Sequence, residues 1–210
     1  QMGMTRPIPF CYPTKLHVRK HGPIGYKEWE SFRPWLRDEF DFRCVFCLRR
    51  EIWDQRRAVF AIEHLVPRKL AQERALDYTN LVYACGSCNS AKSAQSAPDP
   101  CDHTYDKLVE VQDDGTIRAL NAEGRRLIRT VCLDDAKTTA WRRSLIENFR
   151  CYAKYEPALY RERLGFPDDL PDLSKCVPPG GNTKLNSEST SRYQQRFNGA
   201  LPIFIEIECN

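Results

Sequence analysis

Two close cysteine pairs are the residues in this chain most able to do chemistry: Cys44-Val45-Phe46-Cys47 and Cys85-Gly86-Ser87-Cys88. Thiolates two residues apart on a tight loop turn back onto one metal ion. Two such knuckles complete a tetrahedral four-cysteine zinc site. Two redox motifs or two disulfides are the alternatives. A thioredoxin-like motif needs a βαβ context that is missing here, and disulfides need an oxidising compartment. Structural Zn²⁺ on Cys44, Cys47, Cys85 and Cys88 is therefore the expectation. Cys11, Cys101, Cys132, Cys151, Cys176 and Cys209 lack this pairing and read mostly as small buried apolar side chains.

Between Cys47 and Cys85 lie 37 residues, where a zinc ribbon usually places roughly 15–20. Something is inserted between the two halves of the site. It begins with Ala58-Val59-Phe60-Ala61-Ile62, apolar, β-branched and aromatic, which reads as a buried strand. The strand runs into Glu63-His64 and stops near Pro67. Neighbours on a strand point to opposite faces, but at a strand end a carboxylate and an imidazole can reach one cleft. A polar, partly helical loop leads to a second short strand, Leu81-Val82-Tyr83. Cys88-Asn89-Ser90-Ala91-Lys92 then opens a helix-compatible stretch that lasts until Pro98.

Glu63-His64-x-x-Pro67, then Asn80, then Cys85-x-x-Cys88-Asn89-x-x-Lys92 resembles the HNH endonuclease motif on a zinc-braced ββα-metal fold. The resemblance covers about residues 33–98. It continues more loosely through Asp99-Pro100, Asp102-His103, Tyr105-Asp106 and Pro178-Pro179-Gly180-Gly181, as in stand-alone bacterial HNH proteins. It implies metal-dependent hydrolysis of phosphodiester bonds that leaves 5′-phosphate and 3′-hydroxyl ends. His64 would be the general base, since neutral imidazole suits that task near neutral pH. Glu63 and Asn89 would hold a divalent ion, Mg²⁺ or Mn²⁺, through hard oxygen atoms. Asn80 would orient His64 through the backbone. Arg68, Lys69 and Lys92 would contact phosphates, fixing register without reading sequence. DNA is favoured over RNA by resemblance alone. Many family members carry Asp where Glu63 stands and His where Asn89 stands, so the preferred ion is left open. Taken singly, each residue has a plainer reading: a structural histidine, a turn asparagine, a helix cap. The alternative for the whole is a catalytically inactive zinc-containing nucleic-acid-binding module, with a protein-interaction scaffold behind it.

Positioning these residues needs a frame, and the fold class expected is α+β: the nuclease centre with a mainly helical C-terminal frame. The segments read as an extended basic arm over 1–25, a zinc-braced core over 26–98, a hairpin and helical frame over 99–170 and a loop-rich tail over 171–210. Tyr26 to Phe40 is helical on either side of Pro34, with Trp29, Phe32, Trp35, Leu36 and Phe40 as core candidates. Core packing is favoured there over base stacking. Segments 108–111 and 116–120 flank Asp113-Asp114-Gly115 and read as a hairpin. Asn121 can cap a helix over 122–131. A longer helix follows over 135–155, with Trp141, Leu145, Ile146, Phe149 and Tyr152 at helical spacing. Leu201 to Ile207 is a short apolar tail.

The whole-chain numbers agree with such a protein. At 210 residues, 41% hydrophobic and 29% charged, the chain can bury a core without covalent staples and is not disordered by composition. No apolar run approaches the ~18 residues of a membrane span, and residues 1–10 hold no secretory signal pattern. A cytoplasmic protein without a membrane partner is expected. Net charge is +4, with the basic excess in the first hundred residues, a weak pointer to a polyanion. A homodimer, or a partner protein of a defence system, is a candidate beyond the nucleic acid.

Overall fold

The computed structural model describes residues 9–53 and 60–204. Ala58 and Val59 of the first expected strand, residues 1–8 of the arm and residues 205–207 of the apolar tail lie outside the described residues. The architecture is α+β: two small antiparallel sheets set among helices.

The central unit is a ββα arrangement. β1 (Phe60–His64) pairs antiparallel with β2 (Leu81–Cys85), with Glu63 opposite Val82 and His64 opposite Leu81. All five residues of β2 are buried, so this strand reads as a continuous apolar run rather than an alternating one. α2 (Gly86–Lys92) follows without a linker and packs across both strands. It ends at Ser93, whose φ of 48° breaks the helical ladder.

The first cysteine knuckle precedes β1. Arg43 and Arg50 form an antiparallel bridge around it. The loop closes through Cys44 N to Arg49 O at 2.8 Å and Leu48 N to Cys44 O at 3.0 Å. Val45 N donates to Tyr83 O at 3.0 Å, which ties the knuckle to β2.

The frame forms largely where the sequence puts it. A 3-10 turn over Trp29–Phe32 leads into α1 (Arg33–Glu39). Pro34 sits in the first turn of α1, where its missing N–H has no intrahelical partner to lose. Phe32, Trp35, Leu36 and Phe40 are buried, but Trp29 is not part of the buried core. β3 (Val109–Val111) and β4 (Ile117–Ala119) form the hairpin. α3 (Ala122–Val131) starts at Asn121, whose Oδ1 accepts from Gly124 N at 2.8 Å. A Cβ on Gly124 would lie 1.8 Å from Leu108 O, so α3 can rest on the hairpin only with glycine there. α4 (Ala136–Tyr155) is capped by Asp135, and α5 (Pro157–Leu164) packs on it. In the segment expected to be loop-rich, Ser191 caps a short α6 (Arg192–Phe197) through Gln194 N at 3.2 Å.

One apolar core runs from Phe10 through α1, the central sheet and α3 to Leu173. Buried Arg142 of α4 donates to Gly115 O at 2.8 Å and Leu133 O at 2.6 Å, fastening α4 to the hairpin. No helix among the described residues is long and apolar enough to cross a membrane.

Candidate active site and metal centre

The four thiols of the two knuckles converge. The Sγ atoms of Cys44, Cys47, Cys85 and Cys88 all lie within 4.8 Å of one another, and every one of these residues is buried. Cys47 and Cys85 Sγ approach to 3.6 Å. Burial pushes the Cys44 thiol up, whereas hydrogen bonds from Cys44, Cys47 and Cys88 pull Cys85 down. Four sulfurs this close cannot all ionise unless a cation sits among them. A soft, tetrahedral, deprotonated donor set of this kind fits Zn²⁺. Four of the other cysteines are less buried than expected. Cys101 and Cys176 are half-buried, while Cys132 and Cys151 are exposed. Cys132 caps the end of α3 in the left-handed region, and Cys151 rides the outer face of α4, so neither enters the core. Cys11 is buried and disulfide-bonded. Cys209 lies outside the described residues.

The acid and the imidazole sit at the far end of the sheet from the cysteines. Glu63 bends back so that Oε1 accepts from its neighbour His64 N at 2.8 Å and from Lys92 Nζ at 3.0 Å. Oε1 is thus committed twice within the protein. His64 Nε2 lies 3.0 Å from Ala75 O. A carbonyl only accepts, so Nε2 carries the proton and Nδ1 keeps its lone pair. Burial lowers the His64 pKa, with the charges of Arg68 and Lys92 adding to it and the Ala75 hydrogen bond and the Glu63 charge opposing it; the net shift is downward, which favours the neutral ring.

Asn80 holds the chain just past His64. Its Oδ1 accepts from Val66 N at 2.9 Å, and its Nδ2 donates to Val66 O at 3.0 Å and Arg74 O at 3.3 Å. Asn80 O accepts from Leu65 N at 2.8 Å. Asn80 is fully buried.

Asn89 is half-buried on α2, one helical turn before Lys92. Side chains three apart are neighbours on a helix surface, so Asn89 lies next to Lys92, whose Nζ reaches Glu63. Lys92 itself differs from expectation. It is fully buried with Glu63 as its partner, and it lines no exposed phosphate track. A lysine four residues after the second cysteine of a C-x-x-C pair reads as surface by residue type, and only the packing of α2 turns it inward. Arg68 and Lys69 are exposed, directly after Pro67.

Two groups at the site escape sequence reasoning. The Ala75 carbonyl has no signature, since any residue would supply it. Trp29 reads as core by type, yet it is half-buried with its ring centroid 6.1 Å from that of His64. The Arg68 guanidinium lies 4.1 Å over the same indole. An aromatic with a cation stacked on it is a signal only once both are placed in space.

A two-stranded antiparallel ribbon closed by a helix, with a four-thiol centre at one end and a carboxylate, an imidazole and a buried asparagine at the other, is a zinc-capable ββα unit. The HNH endonuclease family model matches this unit, over residues 44–95, so the chain carries an HNH domain. The match runs from Cys44, the first of the four clustered cysteines, to just beyond α2. No curated protein matches the chain.

Proposed function

We propose that the protein is a metal-dependent HNH endonuclease that hydrolyses phosphodiester bonds in DNA. The observation that carries this is the His64 imidazole, pinned through Nε2 to Ala75 O with Nδ1 left to take a proton, beside a carboxylate whose second oxygen has no hydrogen-bond partner among the described residues. His64 is the general base, accepting at Nδ1 the proton of the attacking water. Asn80 is a positioning residue: by gripping Val66 it sets where the strand ends and hence where His64 points. Lys92 is reassigned from phosphate contact to counter-charge for Glu63.

Glu63 and Asn89 would hold the catalytic ion. One carboxylate oxygen, one amide oxygen and several waters suit Mg²⁺ or Mn²⁺ better than a soft metal. Such an ion, when bound, stabilises negative charge on the scissile phosphate and the leaving 3′ oxygen. Arg68 and Lys69, exposed beside the site, contact flanking phosphates. Preference for DNA over RNA rests on the family resemblance. One such centre cuts one strand, so cutting both strands requires a second chain or a second encounter.

The test is nicking of supercoiled plasmid with Mg²⁺ or Mn²⁺, with DNA binding followed in parallel. His64→Ala is expected to lose ~10²–10⁴-fold in rate at nearly unchanged affinity, because charge supplies most of the binding. Arg68→Ala with Lys69→Ala is expected to weaken binding and flatten its salt dependence. Wild-type cutting by His64→Ala would remove His64 as the general base, and DNA binding without any cutting by the wild-type protein would replace this reading with the inactive nucleic-acid-binding module.

A further inference from the structure

Trp29 stands outside the segment matched by the family model, yet it touches two of the residues assigned above. Its indole meets the His64 imidazole at an interplanar angle of 70°, an edge-to-face arrangement. The Arg68 guanidinium stacks on it at 4.1 Å, inside the ~6 Å range of a cation–π contact. Among the described residues, Arg68 makes no ion pair with a carboxylate. Its charge is therefore held in place by the ring without being neutralised. The indole is itself fixed. Its 3-10 turn packs on β1. Arg33, one turn further on, donates to Phe60 O at 2.8 Å and bonds Glu30 at 2.9 Å. The start of α1 is thereby tied to the opposite end of the strand that carries His64.

We infer that Trp29 is a positioning residue of this nuclease centre: it holds the His64 ring by its edge and carries the Arg68 guanidinium on its face. Proton acceptor and phosphate contact are then set relative to each other by one side chain supplied from the frame. Ala75 O fixes one atom of the imidazole, and the indole restrains the rotation that a single hydrogen bond leaves free. A neighbour that only filled space would leave Arg68 unaffected, whereas an aromatic face holds a planar cation flat. The inference rests on the reading of His64 as general base.

The experiment compares Trp29→Leu and Trp29→Phe with wild type and His64→Ala in plasmid nicking, separating kcat from KM, with zinc content as the check on folding. Trp29→Leu keeps apolar bulk without a π face. It is expected to lose ~10- to 100-fold in kcat, as misplacement of a catalytic group does, and to raise KM through a loosened Arg68. Trp29→Phe restores most of both. The ¹⁵N spectrum of His64 in wild-type protein, recorded where the ring is neutral, is expected to show a single tautomer protonated at Nε2. Zinc-replete Trp29→Leu with wild-type kcat and KM overturns the inference. So does a wild-type spectrum averaged between tautomers, which decides the matter even if the leucine variant does not fold. If His64→Ala is silent while Trp29→Leu is wild type, only the role of Trp29 falls. If His64→Ala cuts normally, the base assignment falls first.

Discussion

The side chain of Asn80 closes a two-bond ring on the backbone of Val66, accepting from its N–H at 2.9 Å and donating to its carbonyl at 3.0 Å. A carboxamide accepts at its oxygen and donates twice from its nitrogen, here to Val66 O and to Arg74 O; a carboxylate has no proton to donate and a hydroxyl only one. The ring clamps the turn two residues after His64.

Asn80→Ala is expected to lose activity through a misplaced imidazole and to cost about 1–3 kcal/mol from buried backbone groups left unpaired. Asn80→Asp keeps the bond to Val66 N but sets a charge against Val66 O, and should not rescue. Thermal melts with parallel nicking assays check this. An alanine variant with unchanged Tm and rate would remove Asn80 from the site.

Purified protein should carry about one Zn²⁺ per chain, held by the four buried thiols. Binding of such an ion is folding free energy, so Cys85→Ser should unfold or aggregate the protein. Metal analysis and thiol titration of the native protein decide it. Free reaction of all four thiols in metal-free, folded protein is the contrary result.

The ion pair of Lys92 with Glu63 at 3.0 Å predicts different responses to chelation for the structural zinc and the catalytic ion proposed above. Because Lys92 neutralises Glu63, removing a divalent ion leaves no uncompensated buried carboxylate. Moderate EDTA should abolish cutting with little change in Tm, and Mg²⁺ or Mn²⁺ should restore it. Lys92→Met should destabilise the protein by about 3–5 kcal/mol, the usual cost of breaking a buried pair. Full restoration of cutting by Zn²⁺ alone would contradict the assignment of Glu63 and Asn89.

Glu39 predicts the acid limb of stability. Burial alone would raise its pKa, but hydrogen bonds and charge from His17, together with Lys20 N and Arg19, bring it down to about 2. An unfolded Glu titrates near ~4.3. On acidification the unfolded chain therefore takes up this proton first. The stabilisation is complete above the unfolded pKa and fades as pH falls toward 2. Its full size is roughly 3 kcal/mol. Urea melts between pH 6 and 2.5 should show the loss, and Glu39→Gln should flatten that slope.

Much of the site was legible because its chemistry is local in sequence. Two cysteine pairs with too many residues between them, an acid and an imidazole at the end of an apolar run, and an asparagine before the next strand all announce themselves by type and spacing. The same holds for α3 and α4, where Asn121 and Asp135 cap strongly patterned segments. What sequence did not give depends on packing between distant segments. Lys92 is basic by type and buried by the placement of α2. Trp29 is aromatic by type and half-open because its 3-10 turn packs on β1 at the surface of the core rather than within it. Cys132 and Cys151 are apolar by habit but fall on a helix end and an outer helix face.

The complete burial of β2 has a consequence for how the sheet keeps its alignment. A strand with one wet face cannot slip by one residue without turning polar groups inward; a strand apolar on both faces has no such safeguard. Leu81–Cys85 would instead be moored at its two ends, by Cys85 at one once zinc is bound there and by the clamp of Asn80 just before the other. A one-residue slip would break either mooring and carry Glu63 out of opposition to Val82. An ion that never meets the substrate would thereby keep the carboxylate and the imidazole in step.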